Sequence, residues 1–151
     1  MSTYEYQITQ ACIDLIKQFE GCRYAAYQDV VGIWTVGYGH TGGVFPDTHI
    51  DQAQAEQLLQ LDVSKTAARI ADYLTVPLNS NQFGALVSFA FNLGVTAFQN
   101  STLCRLVNEG QTGQVITDEF NKWDHAGGHM VEGLLRRREA EAALFNTPVE
   151  G

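Results

Sequence analysis

Apolar residues recur at helical spacing from the start of the chain. Ile8 and Ile13 bracket Thr9 as a hydrophobic staple around an N-cap, and Cys12, Ile13, Ile16 and Phe19 follow on one face. Gly21 is the residue type that commonly ends a helix, so Glu20 falls at the C-terminus of this one. The period then changes to two. Trp34, Val36 and Tyr38 alternate with Thr35, Gly37 and Gly39, which predicts a strand with one bulky face and one face open to close approach. Trp34 and Tyr38 suit core packing better than sugar stacking. Asp29-Val30-Val31-Gly32 reads as a hairpin connection with Gly32 at the special backbone position, and Val30-Val31 leaves the turn type open. This pattern puts Asp29 in a turn and Thr35 just inside the returning strand, both facing a cleft.

The remainder reads as helical. Asp51 with Gln54 is a capping box before a helix running toward Tyr73, with Leu58, Leu61, Ile70 and Leu74 as its apolar positions, as one long helix or two shorter ones. Pro77 ends that region. Asn79 with Gln82 opens a second capped helix with Phe83, Leu86, Val87, Ala90 and Phe91 inward, closed by Gly94. Further helices are predicted over Ser101 to Asn108, near Gly113 to Trp123, and over Leu134 to Phe145, with a flexible loop at Asp124 to His129. The fold class that results is α+β and mostly helical.

Composition adds limits. A length of 151 residues with 45% hydrophobic residues fits one compact domain or two small lobes sharing a core. No run of about 18 apolar residues suggests a membrane span. Met1-Ser2-Thr3-Tyr4-Glu5 lacks the basic and apolar regions of a signal peptide, so the chain is expected to be made and held in the cytoplasm. Cys12, Cys22 and Cys104 are then expected as reduced thiols, with a Cys12–Cys22 bridge the one pairing left open. Nine Lys and Arg stand against 17 Asp and Glu, and the isoelectric point is near 4.8. Such a chain is a poor nucleic-acid ligand and is repelled at long range by an anionic surface, unless Arg136 to Arg138 form a local basic patch.

Two carboxylates on adjoining elements, Glu20 and Asp29, can face one bond in different protonation states, which is the equipment of a glycoside hydrolase. The negative end of the helix macrodipole at Glu20 disfavours an ionised carboxylate, which suits a general acid, while a neighbouring arginine would favour it. Each residue also has a plainer reading: a helix-terminal Glu is usually solvated, and an Asp in a turn usually caps its own backbone. Other chemistries lack their motifs. There is no H-E-x-x-H, no paired C-x-x-C and no G-x-S-x-G, and Gly37-Tyr38-Gly39 does not open a helix, so neither a metal nor a cofactor is called for.

A longer set of residues is more specific. It runs Glu20-Gly21, Tyr27-Gln28-Asp29, Gly32-Ile33-Trp34-Thr35-Val36-Gly37-Tyr38-Gly39-His40, Gln82 to Phe89 with Phe91-Asn92-Leu93-Gly94, Ser101-Thr102-Leu103, and Gly133-Leu134 with Arg137-Arg138 and Glu141. In these motifs, from about residue 10 to residue 145, the chain resembles the phage-type lysozymes, endolysin muramidases of glycoside hydrolase family 24. The resemblance implies a lysozyme-like fold: an N-terminal lobe with a short antiparallel sheet at about 1–50, a connecting helical region at 51–78, a helical lobe at 79–151, and a cleft between. It implies that Glu20 is the general acid, that Asp29 activates water or stabilises the transition state, and that Thr35 positions that water. His40 is implied to stand behind the glutamate, and Arg137 to pair with it, although Arg136 and Arg138 on either side keep that register open. Gly37, Gly39 and Asn92 are expected at the substrate. The family is generally taken to invert the anomeric centre, which needs carboxylates roughly 6.5–9.5 Å apart. The implied activity is hydrolysis of the β-1,4 bond between N-acetylmuramic acid and N-acetylglucosamine in peptidoglycan. The chain would then be a monomer without a membrane anchor, held in the host cytoplasm until it is released to lyse the cell. A lytic transglycosylase, an inactive wall-binding module and a muramidase used as a secreted toxin are the rival readings.

Overall fold

The computed structural model describes residues 4–149, so Met1 to Thr3, on which much of the signal-peptide reading rests, lie outside the described residues. Helix α1 (Gln10–Glu20) buries Cys12, Ile13 and Ile16, and Ile8 packs against the same core. Thr9 occupies the N-cap in extended conformation, but its hydroxyl makes no capping hydrogen bond, contrary to the expected cap. The Gly21 N–H returns to Lys17 O at 3.2 Å and the chain leaves for the sheet.

Strands β1 (Arg23–Gln28) and β2 (Trp34–Gly37) pair antiparallel, with Tyr27 opposite Thr35 and Gln28 opposite Trp34. Their connection is defined by Gly32 N to Asp29 O at 3.0 Å and Asp29 N to Ile33 O at 2.9 Å, with Gly32 at φ +88°. A turn followed by a positive-φ glycine is a common three-residue hairpin connection, and it admits Val30 and Val31 because only Gly32 needs the left-handed region. The strand stops two residues short of the predicted end. Tyr38 and Gly39 form a tight turn instead, closed by Val36 N to His40 O (3.0 Å) and His40 N to Val36 O (2.8 Å). Tyr38 is nonetheless buried, as its aromatic bulk predicts.

Helix α2 (Gln52–Ala71) is one unbroken helix with both halves of the Asp51/Gln54 capping box formed. Its buried stripe is Ala55, Leu59, Val63, Ala67 and Ile70, whereas Leu61 is 48% exposed and Leu58 half-buried. Of the four expected positions Ile70 and Leu74 are buried, while Leu58 and Leu61 give way to Ala55, Leu59, Val63 and Ala67 on the inner face. Helix α3 (Ser80–Leu93) has the second capping box, and every residue from Phe83 to Ala90 is buried. It lies among α1, α2, α7 (Glu132–Phe145) and the short α4 (Val95–Gln99). At Gly84 a Cβ would stand 2.9 Å from Cys12 Cβ, so this glycine is what lets α1 and α3 approach closely.

Helix α5 (Thr102–Asn108) is capped by Ser101, whose Oγ accepts from Cys104 N at 3.0 Å, and α6 (Gln114–Asn121) packs on α7. Two elements differ from expectation. Helix α4 is too short for its period to show in sequence, and Val95 and Phe98 hold it by burial. The loop at Asp124 to His129 is a small hairpin, β3 (His125–Ala126) paired with β4 (His129–Met130). Gly127 and Gly128 both take positive φ, as two-residue hairpin turns require. All three cysteines are free, which excludes the Cys12–Cys22 bridge. No helix among the described residues is long and apolar enough to cross a membrane.

Candidate active site

Glu20 ends α1, and its carboxylate is gripped from α7. Arg137 Nη1 donates to Glu20 Oε2 at 2.6 Å, with the arginine side chain 3% and the glutamate 22% exposed. Arg137 is itself fixed: its Nε donates to Glu141 Oε2 at 3.3 Å, and its Nη2 to Ser88 O at 3.2 Å on α3. Ser88 Oγ in turn donates to Glu141 Oε2 at 2.5 Å. Burial pushes the Glu141 carboxyl up, while the two adjacent guanidiniums and Ser88 pull it down.

The three arginines divide cleanly. Arg137 reaches Glu20. Arg136 is exposed and bonds Glu132 one turn earlier at 2.8 Å. Arg138 is fully buried, and its Nη2 donates to Asn92 Oδ1 at 2.7 Å and to Glu141 Oε2 at 3.3 Å. Arg138 Nε also lies 2.9 Å from Glu141 Oε1, but outside hydrogen-bonding geometry. Two of the three guanidiniums are therefore interior, and the basic surface patch expected at Arg136 to Arg138 does not exist.

With Oε2 committed to Arg137, Glu20 Oε1 is the oxygen beside the Tyr38-Gly39 turn. A Cβ built on Gly39 would lie 3.5 Å from that oxygen, an ordinary van der Waals contact, and it is the positive φ of +90° that favours glycine there. Beside Glu20 opens a cavity of about 310 Å³ lined by Gly39, Thr41, Asp62, Lys65, Thr66 and Phe91.

Asp29 and Thr35 sit on the hairpin and meet through one peptide. Asp29 Oδ1 accepts from Val31 N and Ile33 N, both at 2.9 Å, so the plain turn-capping reading holds for that oxygen. Oδ2 takes no hydrogen bond among the described residues and is left for another donor. Thr35 is buried and its hydroxyl donates to Ile33 O at 2.9 Å, the carbonyl that also accepts from Asp29 N.

The other anticipated residues are placed as follows. His40 Nδ1 lies 2.8 Å from Asp62 Oδ2 on α2, so its ring partner is Asp62 rather than the glutamate. Gly37 faces inward: its Cβ position points at Ile50 Cδ1 at 3.3 Å and at Ala55, so its missing side chain makes room for α2. Asn92 is half-buried, with Oδ1 held by Arg138. Sequence reasoning assigned no role to Glu141, Asp62 or Lys65. The available signal for Glu141 was its spacing, three and four residues after two arginines on one helix. Asp62 and Lys65 reach the site only through the crossing of α2 past the hairpin, which leaves no local trace. Among the described residues no group of three or more His, Cys, Asp or Glu is gathered as a metal site would need.

A glutamate at the end of α1 held by an interior arginine, followed in the chain by a short antiparallel hairpin that carries Asp29 and Thr35, within a mostly helical α+β chain, places the fold in the lysozyme-like class. The chain belongs to the phage lysozyme family, which it matches over residues 17–141. It is 44% identical over 144 residues to an endolysin of Bacillus phage PZA, covering 93% of this chain and 55% of that protein. It is 40% identical to an endolysin of Acyrthosiphon pisum secondary endosymbiont phage 1, covering 93% and 98%. It thus spans about half the length of the Bacillus phage relatives and nearly all of the other. Among solved structures, the muramidase domain of SpmX from Asticaccaulis excentricus superposes with a TM-score of 0.89 at 36% identity, covering 95% of this chain and all of that one. An endolysin from Escherichia coli O157:H7 phage FAHEc1 gives 0.82 at 36% identity, with 92% of each chain covered.

Proposed function

We propose that this chain is a peptidoglycan muramidase that hydrolyses the β-1,4 bond between N-acetylmuramic acid and N-acetylglucosamine with inversion. The observation that carries the reading is the asymmetry of the two carboxylates. Glu20 has one oxygen anchored by Arg137 and the other at a cavity, while Asp29 has one oxygen spent on its own turn and the other free.

In this reading Glu20 Oε1 gives its proton to the glycosidic oxygen as the C1–O bond breaks. A water attacks C1 from the opposite face of the ring. Thr35 spends its hydroxyl hydrogen on Ile33 O, so toward that water it is an acceptor. The water then donates one hydrogen to Thr35 Oγ1 and one to Asp29 Oδ2, which turns a lone pair toward C1. Asp29 takes the proton released on attack, and solvent exchange restores both carboxyls. Gly39 lines the cavity beside Glu20, and Arg138 holds the Asn92 amide. Residues 1–50 and 79–151 would supply the two walls of the cleft and 51–78 the connection. The chain would act as a monomer on the wall of its host, after reaching it from the cytoplasm. The names of its relatives as endolysins support a lytic role.

A lytic transglycosylase would close a ring with the sugar's own hydroxyl and would need no carboxylate to hold water. The pairing of a free Asp29 Oδ2 with a buried Thr35 favours hydrolysis. The test is the product formed from purified peptidoglycan. New reducing ends are expected. Anhydro-muramyl ends would make the enzyme a transglycosylase, and free alanine amino termini would make it an amidase.

A further inference from the structure

Cations are scarce in this chain, and nearly all are occupied. Among the described residues, six of the nine Lys and Arg side chains are ion-paired: Lys17, Arg105, Lys122, Arg136, Arg137 and Arg138. Arg23 stands over the Tyr27 ring at 4.4 Å. Lys65 and Arg69 pair with no carboxylate, and of these only Lys65 lines the cavity beside Glu20. Both carboxylates of that cavity already have partners, Glu20 with Arg137 and Asp62 with His40. The hydroxyl-bearing side chains of Thr41 and Thr66 and the ring of Phe91 face the same space.

We propose that Lys65 is a specificity-determining residue that recognises a carboxylate carried by the glycan, on a muramyl lactyl group or on a stem peptide attached to it. The inference rests on the muramidase reading of this cleft. A chain of net charge −8 would be expected to neutralise a lysine on an acidic surface, yet this one is left unpaired where the substrate's substituents pass. A single ammonium there gives attraction at contact that the whole molecule lacks at long range. Thr41 and Thr66 supply further donors to the same carboxylate, and Phe91 an apolar wall beside it.

The experiment compares the wild type with Lys65→Met, which keeps the aliphatic stem and the helix propensity. Three substrates are used: intact peptidoglycan, the same material with its carboxylates converted to amides, and glycan strands stripped of stems so that the lactyl carboxylates are free. The expected loss is about fivefold in KM, with kcat little changed, on whichever carboxylate-bearing substrate the lysine reads, as about 1 kcal/mol from one partly solvated ion pair implies. The loss should be absent on the amidated material. Loss on stripped strands assigns the lactyl group, and loss on intact material alone assigns the stem. Equal loss on amidated material, or none on any substrate, overturns the proposal while leaving the muramidase reading intact. A wild type that cleaves none of the three overturns both.

Discussion

At the residue scale, the proposed mechanism requires that each carboxylate have two distinguishable oxygens. Asp29→Asn keeps an acceptor at the Oδ1 position for Val31 N and Ile33 N, so the turn should survive while the charge that orients water is lost. The expected result is a melting temperature close to wild type with a rate at least about 10²-fold lower. A variant that loses stability and activity in proportion would mean the aspartate is only a turn residue. Arg137→Ala should cost about 3–5 kcal/mol, because it leaves Glu141 interior with one guanidinium fewer and Glu20 without its anchor. Urea denaturation measures this, and activity should fall with it. The placement of Glu20, Asp29 and Thr35 at a helix end, a turn and a strand start was legible in sequence because each is a local landmark, and the roles proposed for them are what these variants test. Asp62, Glu141 and the choice among Arg136, Arg137 and Arg138 were not, because those pairings are fixed by how helices cross.

Thiol chemistry gives a second check at this scale. Burial pushes the Cys12 thiol up to about 12 and that of Cys104 in the same direction, whereas Cys22 is half-buried. One thiol of three should react with a disulfide reagent in the native protein near neutral pH, and all three after denaturation. Fast reaction of native Cys12 would contradict the packing of α1 on α3, and fast reaction of native Cys104 would contradict the burial of α5.

At the scale of elements, that packing depends on Gly84. An alanine there would gain about 1 kcal/mol in helix propensity. Its Cβ would meet Cys12 Cβ at 2.9 Å, and overpacking of this kind costs about 1–3 kcal/mol, so Gly84→Ala should lower the melting temperature. Helices α1 and α2 are joined by the Lys17–Glu56 pair. Its hydrogen bond, with a smaller contribution from Gln52, holds the Glu56 carboxyl below its ordinary value of 4.5. A depressed folded-state value means this stabilisation is complete above about 4.5 and is lost as pH falls through the lower value. The gap in melting temperature between wild type and Glu56→Gln should therefore narrow on acidification below that point. A gap that widened in acid would reverse the assignment. Both capping boxes were readable because their partners lie three residues apart. Helix α4 and the β3–β4 hairpin were not, since the few residues in each show no period and tertiary packing decides them. The α2 face was read correctly at Ile70 and Leu74 and misread at Leu58 and Leu61, because alanines at 55 and 67 take the buried positions.

At the scale of the whole molecule, net charge sets approach and local contacts set binding. With −8 at neutral pH and no basic patch on α7, the chain should be repelled by an anionic wall at distances beyond contact. Screening relieves that repulsion, so moderate salt should raise or barely change lysis of whole cells. A steep fall between low and moderate salt would mean that a cationic surface drives binding after all. The composition gave this expectation directly, whereas the burial of Arg137 and Arg138, which removes the patch, needed the fold.

The central claim is that Glu20 donates the proton that breaks the glycosidic bond. The most direct measurement is the release of reducing ends from purified peptidoglycan by Glu20→Gln, beside its melting curve. The amide keeps the size of the side chain and can still accept from Arg137 but cannot act as the acid. The account predicts a folded protein with essentially no turnover. A folded Glu20→Gln protein that releases reducing ends at the wild-type rate would contradict it.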